Sequence, residues 1–109
     1  MSYRLMWHAL DKANIRAELA SLRDDGWDEE VSRVLAYMNS IAGDGPNARS
    51  QNIHMQVAGR NLHSVCPFGT VGVFYAYESP PTTQIYILAF CVDVFLNVGT
   101  AAARLNNVP

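Results

Sequence analysis

The stretch between Val71 and Val92 constrains the fold more than any other part of the chain. In its first arm Val71, Val73, Tyr75 and Tyr77 alternate with Gly72, Phe74, Ala76 and Glu78. In its second arm, Ile85 to Val92 is apolar at every position. β-Branched and aromatic residues fill both arms, as suits a pleated, packed surface. Between them Ser79-Pro80-Pro81-Thr82-Thr83 cannot continue a ladder, because proline lacks the N–H that a strand donates. The stretch therefore reads as a β-hairpin whose second arm lies deep in a sheet. The rest of the chain must then supply the layer that covers that sheet.

Two helical patterns precede it. From about Leu10 to Arg23, Ile15, Leu19 and Leu22 recur at helical spacing beside Ala13, Ala17 and Ala20. Asp11 is a candidate cap at the start, and Gly26 a candidate terminator. Asp28 reads as a fresh N-cap, with Glu29 and Glu30 in a first turn where the helix dipole favours negative charge. That second helix is expected to carry Val31, Val34, Leu35, Met38 and Ile41 on one stripe, to run to about Ala42 and to stop at Gly43. The short connection from Asp24 to Trp27 makes the two helices antiparallel neighbours.

Gly43 to Asn52 reads as a surface loop rich in turn formers. Ile53 to Val57 and Leu62 to Cys66 read as short strands around an Ala58-Gly59-Arg60-Asn61 turn. Residues 2 to 8 read as an edge strand or a lead into the first helix. A short third helix is expected around Thr100 to Leu105, with Thr100 as its cap. The sum is one α+β domain: an N-terminal antiparallel helix pair packed on a four-stranded antiparallel sheet, then a short C-terminal helix. With the helix pair on one face, Tyr75, Tyr77 and Tyr86 are expected on the other, as a bare aromatic surface.

At 109 residues the chain suits a single domain, and half of it is hydrophobic, which permits a substantial core. The longest apolar run is well short of the roughly 20 residues that span a bilayer, and no secretory leader is visible, so a cytoplasmic protein is expected. Cys66 and Cys91 are then expected to be reduced, buried thiols. Net charge is −2, from eight basic and ten acidic side chains, and there is no Lys or Arg between Asn61 and Ala103. A protein that lives on phosphate backbones ordinarily carries a basic excess.

The chemistry-bearing residues are few. His54 and His63 on adjacent strands can face each other across their hairpin, as an acid–base pair or two metal ligands, or can be strand histidines without a role. No third ligand lies within easy spacing, so neither a metal nor a cofactor is expected. Arg60, alone in a turn, reads as solvated; with Arg49 it can hold a phosphate. Tyr75 and Tyr77 can stack on bases or simply pack the sheet.

In its hairpin words Gly72-Val73-Phe74-Tyr75-Ala76-Tyr77 and Ile85-Tyr86-Ile87-Leu88-Ala89-Phe90, and in Gln56-Val57-Ala58-Gly59 followed by Leu62-His63-Ser64-Val65, the chain resembles the RelE/ParE toxin superfamily, particularly its HigB-like branch. The resemblance covers roughly residues 15 to 95. It implies two helices on a curved antiparallel sheet, a bacterial or phage origin, an antitoxin partner and mRNA endoribonuclease activity, free or on the ribosome. It places cationic or acid–base groups where this chain has Val65, Gly72, Leu88, Val92 and Asp93, so His54, His63 and Arg60 are left as catalytic candidates, with Arg49, Tyr75 and Tyr77 for RNA or partner binding. The alternative is a non-catalytic protein-binding module on the same scaffold, an accessory or immunity-type protein or a homodimer. A neutral, tyrosine-bearing sheet suits protein contact better than RNA contact.

Overall fold

The computed structural model describes residues 3–7, 12–44, 52–78 and 83–108. In chain order the elements are β1 (Arg4–Trp7), α1 (Lys12–Asp24), α2 (Asp28–Asp44), β2 (Asn52–Val57), β3 (Arg60–Val65), β4 (Gly72–Glu78), β5 (Gln84–Cys91) and α3 (Val98–Asn106). A 3-10 turn, Phe95–Asn97, leads into α3. Most of the loop expected from Gly43 to Asn52, the start of the first helix with Asp11, and most of the Ser79–Thr83 connection lie outside the described residues.

The sheet has five strands, not four, in the order β1-β5-β4-β3-β2. β2 to β5 form the expected antiparallel meander, but β1 adds to β5 in parallel, from Arg4↔Gln84 to Trp7↔Ile87. The sheet is therefore mixed. β1 pairs backbone groups that the buried strand β5 would otherwise leave open, and Trp7 stacks on Phe90 at 5.9 Å. The helix pair then carries the chain from this edge to β2 at the opposite edge.

α1 buries Ile15, Leu19 and Leu22, the stripe read from the sequence. It ends as its glycine predicts. Gly26 takes a φ of +93°, its N–H bonds Arg23 C=O, and Trp27 N–H reaches back to Leu22 C=O, which satisfies the carbonyls of the last turn. α2 does not stop at Gly43 but runs through it to Asp44. Tyr3 N–H, just ahead of β1, donates to Ala42 C=O at 2.6 Å and satisfies a final-turn carbonyl.

The alternation of β4 holds: Val71, Val73 and Tyr75 join one core with Ile15, Leu19, Val31, Val34, Met38 and Ile41, while Phe74 and Ala76 join another. That second core contains Ala101 and Leu105 of α3 and Val108. Both sheet faces are thus covered, the helix pair on one and α3 on the other. The expected bare tyrosine face does not exist, because Tyr75 and Tyr77 point under the helix pair and Tyr86 under α3.

β5 hides a bulge. Phe74 pairs with Ala89 and Tyr75 with Ile87, leaving Leu88 as an extra residue. Ile85, Ile87 and Phe90 accordingly face the helix pair, whereas Tyr86, Leu88, Ala89 and Cys91 face α3. The β2–β3 turn is shorter than expected. Only Ala58 and Gly59 form it, both left-handed at φ +52° and +81°, as a two-residue hairpin turn demands. Arg60 and Asn61 belong to β3. α3 also starts earlier than expected, at Val98, with Thr100 inside it. Asp93 organises its approach, accepting from Leu96 N–H through Oδ1 and from Asn97 Nδ2 through its carbonyl.

Candidate functional site

The residues singled out in the sequence fall in separate places. Arg49 lies outside the described residues. Tyr75 has no exposed surface, and its hydroxyl is pushed well above the ordinary tyrosine range, first by burial and then by Tyr37 and Tyr77. It is core, not a stacking platform. Tyr77 is half-buried, with the Tyr3 ring edge-on at 6.3 Å.

His54 and His63 do not face each other, and a single residue decides it. From Val57↔Arg60 to Met55↔Leu62 the hairpin register would bring His54 opposite His63, but a bulge between Ile53 and Met55 pairs Ile53 with His63 instead. His63 consequently stacks on Tyr75 and Tyr77 under the helix pair, with ring centres 5.4 and 5.0 Å away. His54 turns to the α3 side, where its Nε2 lies 2.6 Å from Ser64 Oγ and its ring packs at 5.4 Å from Phe74 and 6.2 Å from Phe95. His63 is 3% exposed, and burial, reinforced by His54, lowers its pKa, so the imidazole is neutral at pH 7.

Arg60 is not a solvated turn residue. Its Nη2 and Nε donate to Glu78 Oε1 at 2.6 and 3.1 Å, and its Nη1 donates to Val108 C=O at 3.1 Å. Its guanidinium lies 5.2 Å over the Tyr86 ring. Arg60, His63, Tyr77, Glu78 and Asn61 line one open cleft of about 730 Å³ at the end of β3 and β4. Three of the named candidates thus converge, but the cation is matched by an adjacent carboxylate and the imidazole is neutral. Among the described residues the cleft has hydrogen-bonding groups and no net positive charge. An in-line attack at a phosphodiester needs charge stabilisation that such a set does not supply.

The surface that distinguishes the molecule was not named in advance. Phe95 is 80% exposed and Leu96 82%, on the 3-10 turn pinned by Asp93. Phe95 leans on His54 of β2, and that edge strand exposes Ile53 and Met55 as well. From Asn52 to Val57 and from Val94 to Ala103 there is no charged residue. The available signal was the adjacent Phe-Leu pair after Asp93, in a segment with no strand or helix period to bury it.

Cys91 is buried and its thiol is pushed up to about 12, mainly by burial, with Glu18, Asp93 and Cys66 adding to the shift. Cys66 is exposed rather than buried, and its Sγ lies 3.4 Å from Thr70 C=O. Among the described residues no group of three or more His, Cys, Asp or Glu side chains is placed to hold a metal ion, and no helix is long and apolar enough to cross a membrane. The chain matches no family model, no curated protein and no solved structure.

Proposed function

We propose that this chain is a protein-binding module that engages its partner through the Phe95–Leu96 turn and the neighbouring edge strand β2. The observation that carries the reading is the near-complete exposure of two adjacent large apolar side chains on a turn held by hydrogen bonds. Apolar anchors on an ordered backbone are what protein interfaces use, because less entropy remains to be lost on docking. β2 is the edge strand of the sheet among the described residues and adds the exposed Ile53 and Met55. The partner is a second protein chain, either another gene product or another copy of this one.

The test is co-expression with the products of adjoining genes, followed by light scattering on the purified species. Wild-type chain is expected to run as a complex or a dimer. Phe95→Asp with Leu96→Asp is expected to run as a folded monomer with the circular dichroism spectrum of the wild type. A wild-type chain that stays monomeric and joins none of those products overturns the reading.

One observation favours a second reading, a toxin-like component with mRNA endoribonuclease activity held by an antitoxin. The helix pair packs on the sheet as the RelE/ParE resemblance expects, and the hairpin words fall on β4 and β5. The charge-matched Arg60 and the buried Tyr75 weigh against cleavage chemistry. Growth arrest on expression, relieved by a neighbouring small gene, would favour it; harmless overproduction would end it.

A further inference from the structure

We propose that Ser64 and His54 form a nucleophile–base pair that hydrolyses esters of short, uncharged carboxylic acids in the pocket beside the Phe95 turn. Ser64 Oγ lies 2.6 Å from His54 Nε2, the separation at which an imidazole can take a hydroxyl proton. The contact is built by a specific deviation of the backbone. Without the bulge in β2, His54 would sit opposite His63; with it, the imidazole is re-aimed across the strand onto Ser64. Phe74 and Phe95 hold the ring in that direction.

Ser64 borders a pocket of about 320 Å³, to which Asn52, Thr70, Val92, Val94 and Phe95 also contribute. That volume lies at the small end of ligand sites, and its valine and phenylalanine wall suits a short acyl chain. Asp93 is the one charged residue along the pocket, which disfavours an anionic acyl group. Thr70 supplies an independent observation. Its Oγ1 is buried and has no hydrogen-bond partner among the described residues, whereas buried hydroxyls are ordinarily paired. An O–H with nothing to donate to, in the same pocket as the nucleophile, can donate to the oxyanion of a tetrahedral intermediate.

The step balances without any cofactor. Ser64 Oγ bonds to the ester carbonyl carbon and its proton passes to His54 Nε2. The carbon–oxygen bond to the alcohol then breaks, and the alcohol leaves with that proton. Water attacks the acyl-serine, again giving a proton to His54, and the carboxylic acid departs as Ser64 Oγ recovers its hydrogen. The pocket shares Phe95 with the docking surface, but the assay needs no partner, so its failure leaves the protein-binding reading untouched.

The experiment combines turnover of p-nitrophenyl acetate and butyrate with fluorophosphonate labelling mapped by mass spectrometry. Wild-type protein is expected to turn over both esters and to carry the label on Ser64. Ser64→Ala is expected to abolish both signals, and His54→Gln to lower turnover by about 100-fold or more. Thr70→Val is expected to lower kcat by about 100-fold with KM unchanged. Cys66 carries an exposed thiol in the same pocket, so the position of the label separates the two nucleophiles. Absence of label on Ser64 of wild-type protein, or turnover that is kept with Ser64→Ala, overturns the proposal. Because the label is mapped on wild-type chain, that outcome does not depend on how any variant folds.

Discussion

Glu18 of α1 and Arg104 of α3 clasp the two helical layers at the bulged segment of β5. Arg104 Nη2 lies 2.5 Å from Glu18 Oε2, although the two helices cover opposite sheet faces. Among the described residues β1 pairs with β5 as far as Ile87, and no described strand lies beside the bulged segment beyond it on that side. The two side chains take the place of one. Phe90 N–H donates to Glu18 Oε1 at 3.1 Å, and Arg104 Nη1 donates to Leu88 C=O at 2.8 Å. Both side chains are largely buried, at 12% and 26% exposure for Arg104 and Glu18, so truncating either strands backbone as well as charge.

Arg104→Ala is therefore expected to lower unfolding free energy by about 2–4 kcal/mol, because it takes the cation from the Glu18 carboxylate and this donor from the Leu88 carbonyl. Glu18→Gln, which keeps an acceptor for Phe90 N–H, is expected to cost about 1 kcal/mol. Urea titrations measure both. Amide exchange at Phe90 should quicken in Glu18→Ala, and equal stabilities for all three variants would rule out the clasp.

Arg60 is expected to matter for stability. Its fork ties β3 to Glu78 of β4 and to the Val108 carbonyl just past α3. Loss of those charge-assisted bonds in Arg60→Ala should cost about 1–3 kcal/mol, which for a domain of this size lowers the thermal midpoint by roughly 4–8 °C per kcal/mol. Arg60→Lys should recover little, since one ammonium cannot reproduce the planar fork. A thermal scan of both variants decides. An Arg60→Ala protein as stable as wild type would show the contacts to be incidental.

His63 makes stability fall on acidification. Its folded pKa is depressed below the unfolded value of 6.5, first by burial and then by His54. As pH drops through 6.5, the unfolded chain gains a proton that the folded chain refuses, so unfolding is favoured until the folded-state pKa is reached. The stabilising difference is complete above 6.5 and is lost below it. The thermal midpoint of wild-type protein should thus decline from pH 7 toward pH 5. His63→Gln should flatten that part of the curve, and identical pH profiles for the two would contradict the assignment.

The parts of this fold that were legible in the sequence are those where polarity alternates. The stripes on α1 and α2, the Gly26 stop and the two faces of β4 all follow from spacing. The bulge in β5 was not legible, because Ile87, Leu88, Ala89 and Phe90 are all apolar and a skipped beat in a uniform run leaves no mark. The side of the sheet facing the helices was also hidden, since alternation separates two faces without saying which is covered. Phe74 and Ala76 did carry a hint that both were. Among the site residues, the hairpin register through Met55↔Leu62 does point His54 at His63. What sequence spacing could not reveal was one inserted residue, which sends His54 to Ser64 instead.

Gly72 occupies a position where the RelE/ParE resemblance places an arginine, and packing explains why no side chain stands there. A Cβ on Gly72 would lie 2.5 Å from Val94 Cγ2 and 3.4 Å from Val65 C=O. Val94 is short and β-branched, with few rotamers by which to withdraw. Gly72→Ala is accordingly expected to destabilise the protein by about 1–3 kcal/mol, as overpacking does. Val94→Ala should relieve most of that clash, so the double variant should be more stable than the two single losses would sum to. Gly72→Arg, which would place a cation at this position, should give little folded protein, with circular dichroism and expression yield as the readouts. A soluble, wild-type-stable Gly72→Arg chain would show that the turn around Val94 yields freely, and that packing does not keep this position free of charge.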